Sequence, residues 1–534
     1  MVVCVRSVLR AVLVVAALLA GLMFPGSALG FGPLSGVGVF GEGAAGQIDG
    51  PRGIAVAADG SSYVVDSGSF RVDVFSPDGA FVRAFGKSVN PGGGDICTAA
   101  TGCQQGLDEE SAGAMDDPHG VAIGPEGNIF VADRTNNRID VFSPDGAFVR
   151  AFGKGVNPGG GDVCTAVCQG GDGLAVAGDM SGPRGIAADS SGAIYVADYG
   201  NERIDVFSVG GAFIRAFGKG VNTGPGDPDV CTTGCKAGVA GGAAGEMRLH
   251  LDVAVAPGDQ VVVANSANNR IDVFSSAGSF IRGFGKGVNP GGGNVCTTAT
   301  GCQEVPNGAG AGTLSNPSGV RVDAAGNVYI AESPNDRVSE FTIDGTFVRA
   351  FGAGVIDGAG AFQICTLMTG CQQGLETTIA GATPDPSGLA FDCRGALYVA
   401  EESGGFSRVE RFGEPGTALP PCTSPVSIAA LAATPSNKFK FGKLKLNRKK
   451  GTATLFVQVP GPGKLVLKGK GIHRVSRNSK KADKVKLPIK LVGKAKRKLL
   501  KTGKAKARAK VTFTPTGGMP NTQSKSLILK KRLG

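Results

Sequence analysis

Cysteine and histidine have the widest chemical reach of the residues in this 534-residue chain, and the cysteines are spaced in a way that limits what they can do. Apart from Cys4, ten fall in close pairs: Cys97 with Cys103, Cys164 with Cys168, Cys231 with Cys235, Cys296 with Cys302, and Cys365 with Cys371. Cys393 and Cys422 complete an even set. Close pairs suit either zinc or disulfides. A zinc site needs about four ligands at short paired spacing, often with His, yet each pair here stands alone, so disulfides are expected. His119, His250 and His473 are the only histidines. No nucleophile motif, phosphate loop or dinucleotide fingerprint accompanies them.

Disulfides need an oxidising compartment, and residues 1–30 read as an export signal. Arg6 and Arg10 precede an apolar run from Ala11 to Phe24, and Pro25 to Gly30 supplies small residues for cleavage near Gly30. The run is shorter than the roughly 18 residues that a membrane-spanning helix needs. No transmembrane segment is expected after its removal. The overall charge of +11 conceals an acidic portion and a basic one. Residues 438–534 carry 30 Lys and Arg against Asp483 alone, whereas residues 31–437 carry 23 against 43 acids. The expected organisation is a signal at 1–30, a first domain at 31–421, a linker at 422–437 and a second domain at 438–534.

The elements that position the cysteines come from an internal repeat. Ile54, Val121, Ile186, Val253, Val320 and Leu389 anchor six copies of one unit, 65 to 69 residues apart. In the second copy, Gly120–Ile123, Ile129–Asp133, Arg138–Ser143 and Ala147–Gly153 read as four strands joined by tight turns. Four antiparallel strands per unit describe a propeller blade. Twelve residues after each anchor stands Asp66, Asp133, Asp198, Asn265, Glu332 or Glu401. An arginine follows: Arg71, Arg138, Arg203, Arg270, Arg337 or Arg408. Recurrence in every unit makes these acid and Arg pairs structural devices that hold the turn between the second and third strands.

Strings such as PHGVAIGPEGNIFVADRTNNRIDVF (118–142) and PRGIAADSSGAIYVADYGNERIDVF (183–207) resemble NHL repeats, which implies an all-β, six-bladed NHL-type β-propeller. One fold hosts many functions, so the resemblance implies no activity. His119 and His250 stand at blade starts, positions near a propeller axis. That placement resembles the peptide-amidating lyases, six-bladed propellers with a His-ligated axial zinc, and makes His119 and His250 the candidate metal ligands. His473 lies outside the repeats, so a third ligand is missing and no cofactor is expected.

Five inserts of about thirty residues, each with one cysteine pair, run from the fourth strand of one unit to the first of the next. Connections of that length are unusual. Alternating strand directions put all five on one face, with the turns between second and third strands. Asp95, Asp162, Asp229, Asn294 and Gln363, two residues before each first cysteine, read as turn residues rather than calcium ligands. The sixth unit loses its pattern after Phe412, while Ser35 to Gly41 copies the end of a fourth strand, so the N-terminal segment is expected to complete the last blade.

Beyond the linker, Lys alternates with apolar residues over Lys438–Leu446, Thr452–Val459, Lys464–Leu467, Lys484–Leu491, Lys506–Thr514 and Ser526–Lys530, with a short helix at Lys494–Lys501. Period two predicts a small basic β-sandwich, similar to Lys-rich C-terminal modules of other exported bacterial repeat proteins. The leading reading is a secreted or cell-surface, non-catalytic binding scaffold. Its propeller face recognises a protein or glycan, and residues 438–534 attach to anionic envelope polymers in an extracellular, wall-associated setting. The acidic propeller repels phosphates, which argues against nucleic acid. The alternative is a lyase-like or lactonase-like enzyme with an axial metal.

Overall fold

The computed structural model describes residues 32–33, 39–41, 46–226, 229–402, 407–413, 439–479, 481, 483–515 and 521–533. The export signal and the whole linker, Cys422 included, lie outside the described residues. The chain forms two compact units, divided between Ser424 and Pro425. Among the described residues no helix is long and apolar enough to cross a membrane.

The first unit is a ring of six antiparallel sheets. In the first blade the innermost strand Pro51–Val56 is followed outward by Ser62–Asp66, Arg71–Phe75 and Phe81–Phe85. Valine and aromatic residues fill these strands because both faces of a blade are covered by its neighbours. A two-residue strand, Ile96–Cys97, adds a fifth member where four were expected. Equivalent fifth strands end at Cys164, Cys231, Cys296 and Cys365. Each insert therefore turns back to add a short strand to its own blade before it runs on as a longer loop.

The innermost strands touch one another around the axis, from Pro51–Val56 through to Pro386–Phe391 and back. That approach requires glycine. A Cβ at Gly53 would stand 2.5 Å from the His119 carbonyl oxygen, and one at Gly388 would stand 2.5 Å from that of Arg52.

The ring closes on the N-terminal segment. Val39–Phe40 and Gly32–Pro33 both pair antiparallel with Arg408–Gly413, the third strand of the sixth blade. Within the ring, a phenylalanine from each fourth strand packs on one from the third strand of the next blade. Phe85 meets Phe142 at 4.9 Å between ring centroids, Phe152 meets Phe207 at 5.1 Å and Phe217 meets Phe274 at 5.3 Å. Phe40 meets Phe75 at 4.8 Å and so occupies the same place between the sixth and first blades. Residues 35–38 and 42–45 of the expected closing segment lie outside the described residues.

The second unit is a β-sandwich. Lys440–Asn447, Thr452–Val459 and Asp483–Ile489 form one sheet; Gly463–Gly469, Ile472–Ser479, Lys504–Pro515 and Asn521–Lys530 form the other. Leu455, Val457 and Leu487 from the first sheet share a core with Leu465, Val511, Phe513 and Leu529 from the second. The expected helix spans Gly493–Thr502 and ends on Gly503, whose φ of 66° suits glycine. Ile472–Ser479 is a strand that the alternation pattern missed, because most of its side chains are polar and exposed.

Candidate functional site

Five of the six repeat arginines, Arg138, Arg203, Arg270, Arg337 and Arg408, are among the largest fully buried side chains of the propeller, Arg71 is buried too, and they do more than hold a turn. Arg71, Arg138 and Arg203 pair with Asp66, Asp133 and Asp198 at 3.2 Å, while Arg337 pairs with Glu332 at 3.0 Å and Arg408 with Glu401 at 2.6 Å. A second acid two residues further along also meets the guanidinium: Asp73, Asp140, Asp205 and Glu410. The fourth blade departs from the expected acid and Arg pairing, because Asn265 carries no charge. There Arg270 pairs with Asp272 at 2.8 Å, and Asn265 donates to the same carboxylate at 2.6 Å.

The remaining guanidinium donors reach the inserts. Arg138 donates to the carbonyls of Ala114 at 2.7 Å and Ser111 at 3.2 Å on the insert before it, and to Gln169 at 3.3 Å on the insert after it. Arg203 repeats this with Asp179 at 2.6 Å, Val176 at 2.9 Å and Lys236 at 3.3 Å. The partner acids accept backbone N–H groups from the same inserts, Asp133 from Asp116 at 2.8 Å and Asp198 from Ser181 at 2.7 Å. The clusters of Arg138 and Arg203, and that of Arg337 with Thr313 at 3.0 Å and Gln372 at 3.2 Å, thus stitch two successive inserts to a blade.

Where two buried carboxylates share one guanidinium, one negative charge is in excess. Burial pushes Asp73, Asp133 and Asp205 well above the usual carboxylate range.

The inserts are held internally as well. Five disulfides join the close cysteine pairs, with Cα–Cα separations of 5.2 to 5.4 Å. Cys393 is also disulfide-bonded. Asp95, Asp162, Asp229, Asn294 and Gln363 accept backbone N–H groups from Ser88, Gly155, Gly220, Gly287 and Ile356 at 2.8 to 3.2 Å, a turn-forming role. The pinned loops carry apolar tips. Val167, Leu367 and Met368 are 69%, 68% and 97% exposed, and Leu174, Val176 and Val239 are exposed too. On the outer strands Val82, Ile214 and Val348 reach only 39%.

The same face holds the mouth of the axial channel, because the inner strands start where the second strands end: Pro118 pairs with Asp133 and Pro183 with Asp198. Arg52, His119, Arg184, Leu251, Ser318 and Ser387 take the second place of each inner strand and line a cavity of about 70 Å³. Asp252 stands where other blades have glycine, and it pairs with Arg321 at 2.6 Å. Further along the axis the lining turns apolar, with Ile54, Val121, Ile186 and Ala254.

His119 lies at this mouth, with Nε2 3.6 Å from Asp117 Oδ1. Burial lowers its pKa to about 4, and Arg52 and Arg184 add to the effect. Its sixfold equivalent is Leu251 rather than His250, and the His250 side chain lies outside the described part of the structure. Among the described residues no three His, Cys, Asp or Glu side chains gather as a metal site. Arg52 and Arg184 beside His119 also repel a dication, so His119 by itself does not make an axial zinc site.

Comparison with known proteins returns the fold. The NHL repeat model matches residues 115–142 and 180–207. No curated protein sequence matches the chain. Among solved structures, virginiamycin B lyase from Staphylococcus aureus is 12% identical, with 68% of this chain and 94% of that one covered and a TM-score of 0.35. A gluconolactonase from Xanthomonas campestris is 12% identical over 69% and 87%, with a TM-score of 0.38. An auxiliary nutrient binding protein from Bacteroides thetaiotaomicron is 11% identical over 73% and 74%, also with a TM-score of 0.38. At such identities and scores no ligand or activity passes to this chain.

Proposed function

Starting from a chain that is an NHL-repeat β-propeller protein, we propose that it is an exported, non-catalytic binding scaffold whose insert-bearing face recognises a protein or glycan. One observation carries this reading: the most exposed apolar side chains of the propeller stand on disulfide-closed, arginine-pinned loops of a single face. Ordered apolar tips lose little conformational entropy on binding, which favours recognition. A photo-crosslinking residue in place of Met368 should capture a defined partner from cell-surface extract of the parent organism. Failure to crosslink anything above the level of an unlabelled control would remove the reading.

The basic unit supplies attachment to anionic envelope polymers. Lys504, Lys506, Arg508 and Lys510 alternate with buried Ala505 and Ala509 on one strand and so share the outer face of the four-stranded sheet. Lys468 lies directly opposite Lys510, and Lys504 opposite Lys530. Like charges facing each other across strands repel, and a polyanion laid over the sheet relieves that repulsion. Retention of the mature protein on anionic wall polymers should hold at about 50 mM salt and be lost by about 1 M, where screening shortens to about 3 Å. No retention at low salt would discount attachment.

A further inference from the structure

The axial mouth departs from sixfold symmetry in a way that leaves one cation without a direct ion pair. Of the six residues in equivalent positions, the two serines are satisfied within the ring. Ser318 donates to the Pro386 carbonyl at 2.6 Å and Ser387 to the Pro51 carbonyl at 2.7 Å. Arg52 pairs with Glu402 at 2.7 Å. Leu251 has nothing to satisfy, and His119 faces Asp117.

Arg184 is different. Among the described residues no carboxylate makes a direct ion pair with it, Asp117 and Glu402 acting only through space, and its Nε, like that of Arg52, is buried without a hydrogen bond. Its guanidinium carbon lies 4.0 Å from the centre of the Tyr199 ring, on the turn between the second and third strands of its own blade. Stacking of this kind fixes the plane of the guanidinium and leaves its edge free to bond. A half-buried arginine that keeps unmet donors is costly. The same propeller gives each of its six repeat arginines a carboxylate, so a partner supplied from outside is the economical solution.

We propose that the axial mouth binds the carboxylate group of a small or chain-terminal ligand, held by the Arg184 fork with Arg52 and the His119 imidazole beside it. Guanidinium and carboxylate match in a planar, two-point arrangement. The cavity of about 70 Å³ takes such a group and little more, well below the roughly 300 Å³ at which whole drug-sized ligands are enclosed. The rest of the ligand would lie outward against the inserts. In that respect the proposal deepens the recognition reading and rests on it.

The test is a saturation-transfer NMR titration of the intact mature protein with acetate, with neutral acetamide as the control and inorganic phosphate as a rival anion. Acetate should saturate, acetamide should not, and phosphate should bind more weakly than acetate. Arg184→Gln should weaken acetate at least tenfold. Arg184→Lys, which keeps the charge and loses the fork, should fall between, and Arg52→Gln should weaken it about threefold. Equal acetate affinity in wild type and Arg184→Gln, absence of saturation, or tighter binding of phosphate would overturn the assignment. Crosslinking through Met368 does not depend on Arg184, so failure of the carboxylate site and failure of the recognition reading are separately visible.

Discussion

Replacing Arg138 by Met should destabilise the propeller by about 3–5 kcal/mol in equilibrium denaturation, the cost of removing one partner from a buried ionic cluster. Asp133 and Asp140 would both be stranded, and the Ser111, Ala114 and Gln169 carbonyls would lose their shared donor. Limited proteolysis should therefore open two inserts, 87–117 and 154–182, rather than one.

The companion substitution Asp133→Asn should cost under about 1 kcal/mol, because an amide keeps the acceptor for the Asp116 N–H. The fourth blade already carries that arrangement in Asn265. The sign follows from the clustered charges. A carboxylate held above its unfolded range keeps its proton longer in the folded chain, so its ionisation costs stability as pH rises, and an amide at that place carries no such cost. Lys154→Met, which breaks an exposed pair with Asp162, is the control and should change stability by no more than about 1 kcal/mol. An Arg138→Met loss no larger than that of Lys154→Met would contradict the stitching role.

Phe40→Ala should cost about 3–5 kcal/mol, as expected for deletion of a buried aromatic ring. Phe40 is 7% exposed and lies against Phe75 and Tyr398, which belong to opposite sides of the closure. Phe85→Ala, at the equivalent junction between the first and second blades, should cost about the same. Removal of residues 31–45 should cost more than Phe40→Ala, since the antiparallel pairing with Arg408–Gly413 is lost as well. A shift of less than about 1 kcal/mol for Phe40→Ala beside a normal loss for Phe85→Ala would show that the N-terminal segment does not close the ring.

The repeat was legible because its anchors and turn glycines recur at a nearly constant interval, and the copy of the fourth-strand ending at Val39, Phe40 and Gly41 signalled closure. Other features depend on contacts that no local pattern carries. The fifth strands have as few as two residues, as in Ile96–Cys97, and sit in Gly-rich sequence that reads as loop. The second acids were visible as Asp73, Asp140, Asp205 and Asp272, each a charged residue inside an apolar strand, and that inconsistency was the available signal. Their meaning emerged only once the inserts were seen to bring carbonyls to the same arginines. Arg184 stood at a place where the six copies disagree, but whether an arginine there finds a partner is decided by how five other blades converge on the axis.

The central claim, that one face of a closed ring does the recognising, is tested most directly by crosslinking from both faces under identical conditions. Photo-reactive residues at Met368 and Val167 would probe the inserts, and residues at Glu126 and Asp344 would probe the turns of the opposite face. The account predicts one common partner band from Met368 and Val167 and none from Glu126 or Asp344. Equal capture from the two faces, or capture from Glu126 and Asp344 alone, would contradict it.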